Sequence, residues 1–172
     1  MRLFIALLPD KETVAALKDI QRQFRARGVR GGYTKEENLH ITLAFIGEYA
    51  EPAKVLSVMR SVPFSASSVS LDRVGSFGDL YYAGLNVSDG LKEYAARLRR
   101  ALDENGIPYD KKPFRPHITL LRRADRQPGG DMTVRPVSCL FGRVSLMKSE
   151  RGYGGMIYTE YGSVRAAPGN KE

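Results

Sequence analysis

The chain has 172 residues, of which 42% are hydrophobic and 27% are charged, and it carries a formal net charge of +8. This size predicts one globular domain, or two small lobes that share a core, and no apolar stretch approaches the roughly 20 residues that span a bilayer. One cysteine, Cys139, excludes a disulfide framework and a thiolate metal site and is compatible with a reducing cytoplasm. The positive charge favours an anionic ligand, although many basic proteins have none.

Hydrophobic periodicity predicts the element order β-α-β-α-β-β-α-β-β-β. Capping signals mark the helix starts: Asp10 is a predicted N-cap, Pro52 lies in a first turn, and Ser88 or Asp89 begins the third helix. In chain order we predict a strand over 2–8, a helix over 11–27, a strand closed by Gly47, a helix over 51–61, strands over 65–76 and 80–87, a helix over 90–104, a strand after Pro116, a strand over 134–149 bent at Pro136 or Gly142, and a final strand over 156–164. Residues 1–165 are expected to form one bilobal domain, and the tail over 166–172 is expected to be disordered.

One tetrapeptide occurs twice, as His40-Ile41-Thr42-Leu43 and as His117-Ile118-Thr119-Leu120, and the two copies hold every histidine of the chain. Each copy lies in a predicted strand that follows a helix, and residues i and i+2 of a strand point to the same face. Each His therefore shares a face with its Thr. We predict an α+β fold of two pseudo-symmetric lobes, each a mainly antiparallel sheet with helices on the outside, around a central cleft.

Two imidazoles that face one substrate are suited to proton transfer, one as general base and one as general acid. Threonine hydroxyls donate hydrogen bonds to anionic oxygens. This combination favours attack of water on a phosphodiester, with no covalent enzyme intermediate and no metal ion. Two alternatives remain: a metal site, for which two His without a nearby carboxylate are a poor ligand set, and a purely structural role for both rings.

Several segments carry a family resemblance: residues 1–7, Asn38 to Glu48 around the first motif, Phe114 to Arg122 around the second, and Leu146 to Ser149. With these flanks the chain resembles the two-histidine (2H) phosphoesterases, and most closely the bacterial and archaeal RNA 2′,3′-cyclic phosphodiesterases, also called 2′–5′ RNA ligase-like proteins. The resemblance covers nearly the whole chain. The paired motifs make it specific, since one copy alone would be a weak signal.

The resemblance implies metal-independent hydrolysis of an RNA-terminal 2′,3′-cyclic phosphate to a 2′-phosphate, without a cofactor. By position His40 matches the general acid, His117 matches the general base, and Thr42 and Thr119 match the residues that hold the phosphate. Some members of the family also run the reverse step and join a cyclic end to a 5′-hydroxyl. A phosphodiesterase of small cyclic nucleotides or of ADP-ribose cyclic phosphate, and a non-catalytic module that binds RNA ends, remain as alternatives.

Four further residues are candidates for substrate binding: Arg122, Phe45, Arg115 and Tyr33. Arg122 lies five residues after His117. An odd spacing puts it on the opposite face of the strand from His117, unless the strand ends or bulges first. Tyr33 stands near the place where many members of the family carry a tryptophan. The expected partner is RNA with a 2′,3′-cyclic phosphate end, in tRNA-like fragments or oligonucleotides, and the protein is expected to be a cytoplasmic monomer without membrane contact.

Overall fold

The structure, a computed structural model, describes residues 1–168. They form three α-helices, nine β-strands and a 3₁₀ turn at Glu36–Asn38. The elements are β1 Arg2–Leu7, α1 Lys11–Ala26, β2 Gly32–Tyr33, β3 Ile41–Glu48, α2 Pro52–Arg60, β4 Ser67–Phe77, β5 Leu80–Val87, α3 Asp89–Glu104, β6 His117–Arg122, β7 Ser138–Phe141, β8 Arg143–Gly152 and β9 Gly155–Arg165. None of the helices within residues 1–168 is long and apolar enough to cross a membrane.

Two antiparallel sheets divide the molecule into its lobes. One sheet has the order β3-β1-β8-β9 and the other has the order β2-β6-β5-β4-β7, so each contains one motif strand. The predicted α+β class with two antiparallel sheets is confirmed. Strand β1 lies inside its sheet, between β3 and β8, as its apolar sequence predicts, and five of its six residues are buried.

The three helices pack one apolar face each and expose the other. In α1 the buried stripe contains Leu17, Ile20 and Phe24, all at 0% exposure, at the spacing of three and four that one helix face requires. The carboxylate of Asp10 caps this helix by accepting from the Thr13 amide at 2.8 Å, and these hydrogen bonds to Thr13 lower the pKa of Asp10. All three helices lie at nearly the predicted bounds.

The structure departs from the predicted elements in two places. The short strand β2 pairs Gly32 with Arg122 and Tyr33 with Leu121, partners too distant along the chain for local periodicity to indicate. The single bent strand predicted over 134–149 is two strands, since β7 pairs with β4 in one sheet and β8 pairs with β1 in the other. The chain passes between the lobes at Gly142, the second of the two predicted bend positions.

The chain remains hydrogen-bonded just beyond β9. The amide of Ala166 donates to the Gly142 carbonyl and the amide of Ala167 donates to the Phe64 carbonyl, both at 2.8 Å. The tail predicted to be disordered over 166–172 is therefore held at its first two residues, and positions 169–172 lie outside the described residues.

Candidate active site

The two motif strands meet at a cleft of about 860 Å³ between the sheets. Strand β3 contributes Thr42 and Phe45, and strand β6 contributes His117, Thr119 and Arg122. The rest of the lining is formed by Arg2, Phe77, Leu80, Arg99, Asp110, Lys112, Pro113, Phe114 and Arg115. Basic side chains outnumber the one carboxylate in this lining, so the cleft suits an anionic ligand.

A β-bulge in β3 brings Phe45 into the cleft. Two consecutive residues of β1 pair with Thr42 and with Ala44. Leu43 lies between Thr42 and Ala44 and therefore has no partner in β1. Leu43 and Ala44 are both fully buried, and the side-chain alternation restarts after them in the opposite phase. Phe45 therefore lies on the same face as Thr42, although the two are three residues apart.

Strand β6 contains the matching bulge. Two consecutive residues of β5 pair with Thr119 and with Leu121, so Leu120 has no partner in β5. Leu120 and Leu121 are both fully buried. This bulge is the physical reason that Arg122 lines the cleft with His117 and Thr119 in spite of its odd spacing. The two lobes thus place unlike side chains at equivalent positions, an aromatic ring after the first motif and a guanidinium after the second.

A helix side chain donates a hydrogen bond to the backbone of each bulge. The Arg99 Nε–H of α3 donates to the Leu43 carbonyl at 3.1 Å. The buried Gln21 of α1 donates from Nε2 to the carbonyls of Leu120 and Thr34, each at 2.9 Å. Gln21 and Arg99 are not among the predicted site residues, because their partners are backbone atoms that only the fold brings near.

His40 adjoins the cleft through Thr42 and is oriented through both ring nitrogens. Its Nδ1–H donates to the Asn38 carbonyl at 2.7 Å, and its Nε2 lies 2.9 Å from Thr42 Oγ1. Because a carbonyl only accepts, the proton of the neutral ring sits on Nδ1 and Nε2 accepts from the Thr42 hydroxyl. When the ring is protonated, Nε2–H donates to the same oxygen. The hydrogen bond agrees with the prediction that His and Thr share a strand face.

His117 is oriented in the same way from the other lobe. Its Nδ1–H donates to the Arg115 carbonyl at 2.6 Å, so the neutral ring carries its lone pair on Nε2. A ring held in this tautomer is prepared to take a proton from a molecule in the cleft. Arg115 thus serves the site with its backbone, and its exposed side chain lines the cleft as well.

Each imidazole lies against two aromatic rings, but the two pairs differ in exposure. Phe4 and Tyr158 lie 4.9 and 5.4 Å from the ring of His40, centroid to centroid, and Phe4 is buried. Phe77 and Tyr82 lie 5.5 and 5.4 Å from the ring of His117, and Phe77 is 42% exposed at the tip of the β4–β5 hairpin. His40 is therefore the ring with the drier surroundings.

Burial lowers the pKa of His40 below its usual value of 6.5, and the charges of Arg122 and His117 lower it further against the opposing hydrogen bond to Asn38. In the free protein the neutral form of His40 is thus favoured at neutral pH. An anion in the cleft stabilises the protonated ring and raises this pKa.

We expect NMR titration of the His40 ring protons to give a pKa below 6.5 in the free protein and a higher pKa when inorganic phosphate occupies the cleft. The sign follows from desolvation, which penalises the cation, and from the added negative charge, which stabilises it. Resonances are assigned by comparison with the His117→Gln variant, which retains His40 as its only histidine. A His40 pKa above 6.5 in the free protein would contradict this account.

Tyr33 is the predicted substrate-binding residue that does not line the cleft. Its hydroxyl donates to the Val29 carbonyl at 2.7 Å, and the guanidinium carbon of Arg25 lies 4.1 Å from the centre of its ring. Strand β2 adds to the outer edge of β6, and Tyr33 lines a separate shallow depression with Arg25 and Arg30. Arg122, Phe45 and Arg115 do line the cleft.

The cleft also contains Arg2, Phe77, Arg99 and Lys112, which are not among the predicted site residues. The guanidinium of Arg2 lies 5.1 Å from the centre of the Phe45 ring, and Arg99 donates to the Lys112 carbonyl at 2.8 Å. These residues come from a strand start, a hairpin tip, a helix and a loop, so no local pattern joins them.

The donor set around the motifs offers little to a metal ion. Within residues 1–168 no three His, Cys, Asp or Glu side chains are grouped closely enough to hold one. Nearest to the imidazoles are hydroxyl, guanidinium and aromatic groups, which suit a phosphate better than a divalent cation.

Known proteins resemble this chain in sequence and in structure. A family model described as the 2′-5′ RNA ligase superfamily matches residues 9–152. The RNA 2′,3′-cyclic phosphodiesterase of Archaeoglobus fulgidus is 31% identical, over 74% of this chain and 76% of the relative. The crystal structure of TT0787 of Thermus thermophilus has a TM-score of 0.83 at 28% identity and covers 96% of this chain and 97% of its own. Escherichia coli LigT complexed with 3′-AMP has a TM-score of 0.80 at 27% identity, with coverage of 97% and 98%.

Proposed function

Because the chain belongs to the 2′-5′ RNA ligase superfamily, we propose that it is an RNA 2′,3′-cyclic phosphodiesterase that hydrolyses an RNA-terminal cyclic phosphate to a 2′-phosphate. The observation that carries this proposal is that His117 lines one basic cleft and His40 adjoins it through Thr42, each ring fixed in the same tautomer by a backbone carbonyl. Relatives named for this activity add support.

In the proposed reaction His117 Nε2 takes a proton from water as the water oxygen attacks phosphorus. The bond between phosphorus and the 3′ oxygen breaks, and protonated His40 donates its Nε2 proton to that oxygen. The product is a 2′-phosphate and a free 3′-hydroxyl. No covalent intermediate forms on the protein. The assignment of acid and base follows the family resemblance, and the burial of His40 requires that the bound anion raise its pKa before it acts as the acid.

The hydroxyls of Thr42 and Thr119 donate to the non-bridging phosphate oxygens. Before the transfer, the protonated His40 Nε2–H donates to Thr42 Oγ1, which leaves the Thr42 hydroxyl proton free for the phosphate. The Nε2–H then turns from Thr42 Oγ1 to the 3′ oxygen as the bond between that oxygen and phosphorus breaks. Arg122 adds a full positive charge to the lining of the same cleft. Phe45 offers a ring for base stacking, which tolerates any base because every base has a π face.

A turnover assay tests the function directly. We expect the protein to convert an oligoribonucleotide that ends in 2′,3′-cyclic phosphate to the 2′-phosphate, at the same rate with and without a divalent-metal chelator, since the proton transfers need only imidazoles. The position of the product phosphate is read by NMR or by resistance of the 2′-phosphate to a 3′-specific phosphatase.

A 3′-phosphate product, or activity that is lost in chelator and restored by a divalent ion, would contradict the proposed mechanism. Binding of the cyclic-ended RNA without turnover would instead identify a non-catalytic module. Faster turnover of small cyclic nucleotides or of ADP-ribose cyclic phosphate than of RNA would move the proposal to those substrates. A product that joins the cyclic end to an added 5′-hydroxyl oligonucleotide would establish the reverse ligation.

We also propose a cytoplasmic monomer. One copy of the chain supplies both motif strands, so the cleft needs no residue from a partner. Cys139 is buried and unpaired among the described residues, and burial raises the pKa of its thiol, which keeps it unreactive.

A further inference from the structure

Five exposed arginines lie in or beside the loop between α1 and β2. Arg27 donates to the Asp131 carbonyl at 2.8 Å, and we call the other four, Arg25, Arg30, Arg123 and Arg126, the arginine surface. Arg25 stacks on the ring of Tyr33, and Arg30 lines the same depression. Distances from two glycines of the loop show that Arg123 and Arg126 lie beside it. A Cβ placed on Gly32 would be 3.5 Å from Arg123 Nη2, and one placed on Gly28 would be 3.9 Å from Arg126 Nη1.

The arginine surface is poorly neutralised. Asp125 is its nearby carboxylate, and it accepts from the Arg30 amide at 2.8 Å and lies 3.7 Å from Arg126 Nε. Within residues 1–168 the side chains of Arg25, Arg30 and Arg123 form no ion pair with a carboxylate. Three guanidinium groups thus face solvent without a carboxylate partner. Because like charges repel, an anion that binds among them would be stabilised.

The arginine surface begins where the catalytic cleft ends. Arg122 lines the cleft, and Arg123 follows it with a left-handed φ of 55°, which turns the chain at the end of β6. The loop packs directly on this turn, since a Cβ on Gly31 would be 2.8 Å from the Arg122 carbonyl oxygen. Arg25, Arg30, Arg123 and Arg126 are outside the cleft lining, so a single nucleotide that fills the cleft does not need them.

The direction of the RNA chain follows from the proposed reaction. Water approaches phosphorus from the side of His117, and the 3′ oxygen leaves on the opposite side, at His40. The ribose bears that oxygen, so the ribose and the RNA attached to it lie on the His40 side. Arg122 pairs with Gly32, at the start of the chain segment that leads to His40, and its charge is among the causes that lower the pKa of that ring. The arginine surface continues from Arg122 on this side.

We propose that the arginine surface binds the phosphodiester backbone of the RNA on the 5′ side of the cyclic end, several nucleotides from the reacting phosphate. This inference rests on the proposed function. Guanidinium groups bind phosphate oxygens in a bidentate manner, and a contact to phosphate carries no base preference, so it strengthens binding of any RNA sequence. Tyr33 then acts by supporting Arg25 rather than by stacking on a base.

The test uses the triple variant Arg25→Gln, Arg30→Gln and Arg123→Gln. We expect its kcat and KM for a nucleoside 2′,3′-cyclic phosphate to match the wild type, because that substrate fills only the cleft. The KM for a cyclic-ended oligoribonucleotide is expected to rise, and the slope of log KM against log salt concentration to fall by about 2, from three lost phosphate contacts at roughly 0.7 each.

A matched control removes the same charge elsewhere. Arg60, Arg100 and Arg165 are exposed on α2, α3 and β9, and replacing all three with Gln should leave the salt slope of the oligonucleotide unchanged. Equal oligonucleotide KM and salt slope in the wild type and the Arg25, Arg30 and Arg123 variant would overturn the proposal, as would equal effects of the two triple variants.

The proposed function would be contradicted independently of the arginine surface if the wild type did not turn over the cyclic nucleotide. In that case fluorescence anisotropy with single-stranded RNA that ends in a 3′-hydroxyl still tests the arginine surface. We expect weaker binding by the Arg25, Arg30 and Arg123 variant than by the control variant, and equal binding by the two would refute the contact.

Discussion

Replacement of His117 by alanine is expected to lower kcat/KM for a 2′,3′-cyclic phosphate by about 10²–10⁴-fold, the range that a positioned general base contributes. The fold should survive, because the ring makes one hydrogen bond, to the Arg115 carbonyl, and edge contacts with Phe77 and Tyr82 beside the cleft. Steady-state kinetics and a thermal melt measure the two effects on the same sample.

Replacement of His40 by alanine should lower kcat/KM by a similar factor, because it removes the acid that donates a proton to the leaving oxygen. It should also lower stability, by about 1 kcal/mol or more, because this ring packs against Phe4 and Tyr158 and forms hydrogen bonds with Asn38 and Thr42. His40→Gln keeps more of the packing and serves as the second variant. The variant without both histidines should be little worse than either single variant, since the two groups act in one step. A folded single variant that retained wild-type activity would refute the acid–base mechanism.

Replacement of Thr119 by valine is expected to lower kcat/KM by about 10²–10³-fold, the effect of losing one hydrogen-bond donor to a developing anionic oxygen. Valine keeps the shape of threonine, so the loss reports the hydroxyl. The Thr119→Ser variant should restore most of the activity. Thr159→Val, an exposed change on β9 away from the cleft lining, is the matched control and should behave as wild type.

Thr42→Val should show the same kinetic loss and one further effect. The Thr42 hydroxyl bonds to His40 Nε2, so its removal should change the titration of His40, whereas Thr119→Val should leave that titration nearly unchanged. NMR titration of the two variants separates these expectations. Kinetics of Thr42→Val and Thr119→Val indistinguishable from the wild type would show that the hydroxyls do not hold the phosphate.

The two lobes resemble each other more in backbone geometry than in the side chains that they place in the cleft. Matching bulges at Leu43 and Leu120 bring the fifth residue after each histidine into the cleft. The residue is Phe45 in one lobe and Arg122 in the other, so a shared backbone device presents a stacking ring on one side and a cation on the other. This arrangement suits a substrate with a base at one end and an anionic phosphate chain at the other.

The sequence by itself determined the features that depend on neighbours along the chain. Helix bounds followed from apolar spacing and from caps such as Asp10 and Ser88, whose hydrogen-bond partners lie three residues away. The repeated His-Ile-Thr-Leu placed an imidazole and a hydroxyl on one strand face, because alternation needs only the extended backbone. The α+β class followed from the order of these elements.

Only the tertiary structure decided which residues complete the cleft. The bulge before Arg122 depends on the register of β6 against β5, and the position of Tyr33 depends on pairing with Leu121, far along the chain. The unequal burial of two histidines in identical tetrapeptides depends on which aromatic rings pack against them from other strands. Register and desolvation are set by distant partners, so identical local sequences acquire different environments and, in the proposed reaction, different roles.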